Sequence, residues 1–162
     1  MAIRQGERSG DSNSDDRYKE SMMAIEAWKH KDIWTRRGKL FAVEISRHHG
    51  TDDAFDGPHR WCVYAYIYPN HPHFSKFDGA HIWQEATQVL PLHRGCSYLD
   101  YPMHDGKVTC VKVGADYHHL HDESFTHCAT ADEAYRVFSD ADELFDHLTA
   151  IAEKAADETQ TV

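Results

Sequence analysis

Residues 60–68 read Arg-Trp-Cys-Val-Tyr-Ala-Tyr-Ile-Tyr, and no other segment constrains the fold as much. Branched and aromatic side chains fall on both faces of an extended chain here. Such a strand belongs at the centre of a sheet. Pro69 and Pro72 end it, because proline offers no N–H to a ladder.

The rest of the chain supplies partners for that strand. Residues 39–48 alternate, with Phe41, Val43 and Ile45 on one face and Ala42, Glu44 and Ser46 on the other. The Asp- and Gly-rich stretch 50–58 reads as a loop. Residues 96–101 and 107–117 read as two more strands, joined through the turn signal Asp105-Gly106. Val111, Val113 and Ala115 share one face of the second. Met22, Ile25, Trp28 and Ile33 recur at helical spacing and predict a helix over 15–34, ending before Arg36-Arg37-Gly38. Residues 81–89 predict one or two helical turns, closed by Pro91.

Thr130-Ala-Asp-Glu133 has the form of a capping box, and Ser139-Asp-Ala-Asp142 that of a second helix start. A short helix, a break near Ser139 and a longer helix to about Ala156 are expected, with Leu144, Phe145, Leu148, Ile151 and Ala155 as the apolar stripe. The expected fold is a single α+β domain over 15–156, with a roughly four-stranded, mainly antiparallel sheet and helices packed on one face. Residues 1–14 are expected to be a flexible arm and 157–162 a frayed end.

The chain has 162 residues and a formal net charge of −10, which disfavours generic binding to a phosphate backbone. No apolar run approaches the roughly 20 residues that span a bilayer, and the polar first 16 residues lack a signal-peptide core. A cytoplasmic protein is therefore expected, and in that compartment Cys62, Cys96, Cys110 and Cys128, which form no C-x-x-C pair, are expected to be reduced. Such an acidic surface suits a protein that binds a basic surface, including one that occupies a nucleic-acid site on another protein.

Fourteen histidines are unusual, and their positions decide what they mean. Three segments place them where strands end: Tyr68 to His73, Leu92 to Tyr98 and Gly114 to Asp122. The last is the densest, with Asp116, His118, His119, His121 and Asp122 within seven residues. Imidazole and carboxylate together suit zinc, manganese or iron. Asp116, His119 and Asp122 stand three apart, the spacing that puts side chains on one side of a turn, and form the candidate metal set. His93 would supply a further ligand or a base from another strand end, so His93, Asp116 and His119 are the candidate catalytic residues. His71, Ser97 and Tyr98 are candidates for holding a bound cofactor or ligand. A metal site, a metal-free acid–base or ligand site, and plain polar contacts all remain open at this point. Strict metal, phosphate-loop and nucleophile-elbow motifs are absent. His71-Pro-His73 also reads as an ordinary turn. The row Tyr64, Tyr66, Tyr68 is expected to pack against helices, with a stacking surface for bases as the sharper reading.

Taken in order, Trp61, Cys62, Tyr64, His71 and Pro72; His93, Gly95, Ser97 and Tyr98; and Gly114, Asp116, His119 and Asp122 resemble a pattern. It belongs to a family of small uncharacterised bacteriophage and mobile-element proteins. That family typically shows His-Gly-Gly, an aliphatic residue, Thr and an aromatic, then Gly-Phe-Asp-x-x-His-x-x-Asp. The likeness spans about residues 60–123 and departs at Arg94 and Ala115 and in the extra His118 and His121. It implies a mobile-element origin and singles out His93, Asp116, His119 and Asp122. Two functions are then expected as alternatives. One is an accessory protein with a His/Asp site, using a divalent metal (zinc or manganese) to hydrolyse a phosphoester-type bond. The other is a non-enzymatic acidic inhibitor of a host defence protein, or a protein that sequesters a small nucleotide ligand. The Tyr-rich strand also leaves a homodimer open.

Overall fold

The computed structural model describes residues 14–21, 31–51 and 53–161. The chain divides into two compact units, Met1–His30 and Lys31–Val162. In the first, residues 14–21 are helical (α1). Residues 22–30 of the expected helix lie outside the described residues. Its last part is a strand instead: Lys31–Arg37 forms β1. Ile33, Trp34 and Thr35 are good strand formers, and the segment pairs along its whole length, from Lys31 opposite His48 to Arg37 opposite Ala42. That pairing outweighs a helical period whose last point was Ile33.

The second unit is α+β. β2 (Phe41–His49) and β3 (His59–Ile67) follow β1, then the one-turn helix α2 (Glu85–Gln88) and the short strand β4 (Tyr98–Asp100). A two-residue hairpin of β5 (Met103–His104) and β6 (Lys107–Val108) turns at Asp105 and Gly106, whose φ angles are 49° and 73°. Positive φ at both central residues is the twist-compatible hairpin turn that Asp-Gly favours. The strand expected over 107–117 is thus two pieces, β6 and β7 (Val111–Asp116). After the short α3 (Glu123–Thr126), the helix α4 spans Tyr135–Gln160. Among the described residues the sheet has five strands in the order β1-β2-β3-β7-β4, one more than expected, and every neighbouring pair is antiparallel.

No break occurs at Ser139. A serine cap operates only where the chain changes direction, and here Phe138, Ala141, Leu144, Phe145 and Leu148 carry one apolar stripe across it. Half of the capping box upstream forms: the Thr130 hydroxyl accepts the Glu133 N–H at 3.3 Å, and the Glu133 carboxylate turns back to that same hydroxyl, accepting from it at 3.1 Å. It closes the turn before α4 rather than the helix itself.

One sheet face carries Phe41, Val43 and Ile45, then Trp61, Val63, Ala65 and Ile67, then Val111 and Val113, all buried under α4. Leu144 and Leu148 of α4 are fully buried against them. Each such side chain contributes about 1.5–3 kcal/mol relative to exposure. Alternation then sends Cys62, Tyr64 and Tyr66 to the opposite face, so the tyrosines do not pack against helices as expected. Tyr64 instead meets Tyr98 at 5.2 Å between ring centroids, and the Lys112 ammonium lies 4.3 Å from the Tyr64 ring centre. All four cysteines are free thiols. Among the described residues, no helix is long and apolar enough to cross a membrane.

Candidate functional site

Two loops at one end of the sheet build the site. The first, before β4, turns at Leu92–Gly95, where the Gly95 N–H reaches the Leu92 carbonyl at 3.0 Å. Arg94 adopts φ 55° and Gly95 φ 87° to make that turn. The second follows β7 and closes with the Asp122 N–H on the His119 carbonyl at 3.0 Å, through His121 at φ 71°. Left-handed backbone is uncommon outside glycine and is held only where surroundings enforce it. Among the described residues three non-glycines adopt it, and two of them, Arg94 and His121, border this site.

Packing fixes the first imidazole. The His93 ring stacks on Tyr117 at 4.2 Å with 12° between planes, and meets Phe125 edge-on at 5.2 Å. Tyr117 is anchored in turn: its N–H donates to the Trp61 carbonyl at 2.9 Å, and its hydroxyl donates to Asp140 on α4 at 2.7 Å. Burial and the Asp140 carboxylate hold the Tyr117 phenol protonated, well above its ordinary range.

Asp122 is the hub. It is 1% exposed, yet its oxygens meet several donors. Oδ2 accepts the His119 N–H at 3.0 Å and lies 3.1 Å from His119 Nδ1. Both oxygens lie 3.0 Å from His93 Nε2, and the Arg94 guanidinium is 3.5 Å from Oδ1. Burial alone would push this carboxyl up. The His119 N–H and the two imidazoles outweigh it and hold Asp122 below the usual carboxylate range.

His93, His119 and Asp122 could hold a metal ion, since one ligand atom from each lies within 4.8 Å of the others. The expected set was Asp116, His119 and Asp122. His93 takes the place given to Asp116, whose Oδ1 stands 3.6 Å from His119 Nδ1 and outside the group. Asp116 turns to its neighbours: Oδ2 accepts from the Ser97 hydroxyl at 3.3 Å, and Oδ1 accepts the His118 N–H at 3.0 Å. His118 turns away to Asp56 at 2.9 Å.

Ser97 and Tyr98 line a cavity of about 240 Å³ on the opposite face of the sheet from α4, together with Asp116. His71 lies elsewhere. Its Nδ1 accepts the His73 N–H at 3.1 Å and its Nε2–H donates to the Leu148 carbonyl at 3.0 Å, which leaves it no nitrogen for a ligand. His73 is likewise bonded to the Ala86 carbonyl at 2.7 Å. The histidines of His71-Pro-His73 tie the turn after β3 to α4 and α2. Tyr117 lies inside the run from Gly114 to Asp122 yet has no place among the residues expected at the site. An aromatic between two candidate ligands carries no mark of being the platform for a third.

No family model matches this chain, and neither a curated protein nor a solved structure matches it.

Proposed function

We propose that His93, His119 and Asp122 bind a divalent cation, zinc by its donor set and manganese as the alternative, and that the site hydrolyses a phosphoester-type bond. The convergence of three donors within 4.8 Å carries this reading. Two imidazoles and one carboxylate match the three-ligand plan of catalytic zinc sites, which leave a position for water or substrate. Zinc bonds of about 2.0–2.1 Å in tetrahedral geometry set donors roughly 3.4 Å apart. The present separations of 3.0 and 3.1 Å to Asp122 open to that value with shifts of a few tenths of an ångström. The cation would supply a Lewis acid and a nucleophilic water near neutral pH.

Charge favours an anionic substrate. One carboxylate against a divalent cation leaves a net positive centre, and Arg94, with its side chain 46% exposed, adds a guanidinium beside it. A planar fork of donors suits phosphate oxygens. Tyr117 and Phe125 hold His93 in orientation, and Asp122 holds His119.

A second reading rests on the bond from His119 Nδ1 to Asp122 at 3.1 Å. That bond orients the ring and leaves Nε2 as a metal-free general base. Elemental analysis of tag-free protein separates the two, with His93→Ala and Asp122→Asn run beside it. Near-stoichiometric metal lost in both variants, with turnover of a chromogenic phosphodiester that follows the metal, is the expected result. Metal-free protein with full turnover would discard the metal reading in favour of the base.

A further inference from the structure

The sheet face opposite α4 has an ordered chemical gradient along β3. Tyr64 stands at one end, Cys62 in the middle and Arg60 at the other, all on that face. Tyr64 and Arg60 are four residues apart, about 13 Å at ~3.3 Å per residue. Strand pairing sets Gly114 beside Tyr64, Asp116 beside Cys62 and His48 beside Arg60. The cavity of about 240 Å³ follows this line, with Tyr98 and Ser97 on its β4 side.

Each level offers different chemistry. At the aromatic end, Gly114 has no side chain, and a Cβ there would stand 2.6 Å from a Tyr64 ring carbon. The Tyr64 ring therefore lies down over β7 and meets Tyr98. Lys112 sits against these rings and is not part of the cavity wall. In the middle, the Asp116 carboxylate is fixed by Ser97 and His118, and its side chain is 45% exposed. A carboxylate has about four acceptor positions, and two remain for a ligand.

At the far end, Arg60 is braced by the carbonyls of Gly57 at 2.6 Å and Thr51 at 2.8 Å. Among the described residues it pairs with no carboxylate. Burial, then Lys31 and Arg60, depress the proton affinity of His48, as a local positive field would. This end is cationic on a chain whose net charge is −10.

We infer that this cavity binds a ribonucleoside 5′-phosphate. Its base lies against Tyr64 and Tyr98, its ribose hydroxyls donate to Asp116, and its phosphate is held at Arg60 and His48. Aromatic platforms take any base through its π-face, and an acidic side chain accepting from ribose hydroxyls is a recurring solution. Asp116 also touches the other site, since its Oδ1 is 3.6 Å from His119 Nδ1. The ribose end of the ligand is thereby placed next to the His93–His119–Asp122 cluster. That the nucleotide is the substrate of the cluster rests on the reading above; the binding does not.

Calorimetric titration of the full chain, stripped of metal by chelation, tests this with 5′-AMP, 2′-deoxy-5′-AMP, ribose 5-phosphate and a single-stranded oligoribonucleotide. The expected result is saturable binding of AMP, weakened roughly tenfold by loss of the 2′-hydroxyl or of the base. Tyr98→Ala, on an edge strand, should weaken AMP about tenfold. Asp116→Asn should abolish the preference for ribose over deoxyribose, and His119→Ala should leave AMP binding intact. No AMP binding at millimolar concentration overturns the inference, as does binding indifferent to both Tyr98→Ala and Asp116→Asn. Tighter binding of the oligonucleotide than of AMP also overturns it. AMP binding as described in a protein that holds no metal supports this inference while discarding the metal reading of the cluster; metal without AMP binding upholds that reading and overturns this inference.

Discussion

Both oxygens of Asp122 face the same nitrogen of His93, each at 3.0 Å, so the carboxylate presents its full edge to that imidazole. Oδ2 serves the His119 backbone and ring as well. One buried group thus joins the loop before β4 to the loop after β7. Removing it leaves those donors facing each other without an acceptor. Asp122→Ala should lower stability by about 2–4 kcal/mol, read as a shift of the urea midpoint. Asp122→Asn keeps an acceptor for the His119 N–H and should fold, but should hold no metal. Stoichiometric metal in Asp122→Asn would show that the carboxylate is not a ligand.

Arg94 offers a separation of strain from side-chain function. At φ 55° any residue with a Cβ bears a cost that glycine escapes. Arg94→Gly and Arg94→Ala both delete the guanidinium, but only the first relieves the backbone. The glycine variant should be the more stable of the two by about 1 kcal/mol. Both should lose turnover of an anionic substrate to the same degree. Thermal melts and steady-state rates on the pair check this; equal stabilities would mean that the turn relaxes freely.

Gly114→Ala should be among the most damaging single substitutions in the sheet. A Cβ there would run into the Val63 carbonyl oxygen and stand 2.6 Å from the Tyr64 ring. The oxygen belongs to the central strand and cannot swing aside. A loss of roughly 2–4 kcal/mol is expected, with weaker near-ultraviolet circular dichroism from Tyr64 and Tyr98. A native-like melt would show that β3 and β7 can part locally.

Acid should loosen the join between the β3 turn and α4. Burial depresses the proton affinity of His71 and His73 below the ordinary 6.5. His71 also uses Nδ1 as an acceptor, which only the neutral ring provides. Their folded values lie below the unfolded one, so the unfolded chain binds the extra protons. Stability is full above about pH 6.5 and falls as pH drops through 6.5 toward the folded values. Melting temperature should fall between pH 7.5 and 5.5, and His71→Gln, less stable at pH 7.5, should show a shallower fall. An unchanged slope in that variant would place the titration elsewhere.

The central strands were legible because their side chains are. Residues 60–68 could be little else, and Asp105-Gly106 has one common use. β1 was not legible, since Ile33 and Trp34 fit a helical period as well as an alternation, and only pairing with β2 decides between them. The break expected at Ser139 failed for a related reason: a capping residue and a solvent-facing helix residue look alike until the apolar stripe is packed. At the site, the run from Asp116 to Asp122 named two of the three clustered residues, and the strand end at His93 supplied the third. What could not be read was the exchange of Asp116 for His93. Asp116 lies on the far side of the sheet by alternation, and its partner Ser97 arrives from the loop just before β4, 19 residues earlier.

The order β1-β2-β3-β7-β4 puts the three-residue strand β4 at an edge, held to the rest of the sheet by β7 alone. The loop carrying His93 hangs from that short strand, whereas His119 and Asp122 follow directly from the interior strand β7. One residue of the cluster is therefore mounted on a margin and two on the core. Amide exchange in such an arrangement is fastest at the margin, through openings far smaller than global unfolding. Parting β4 from β7 would separate His93 from His119 and Asp122 while the pairing of β1, β2, β3 and β7 is kept.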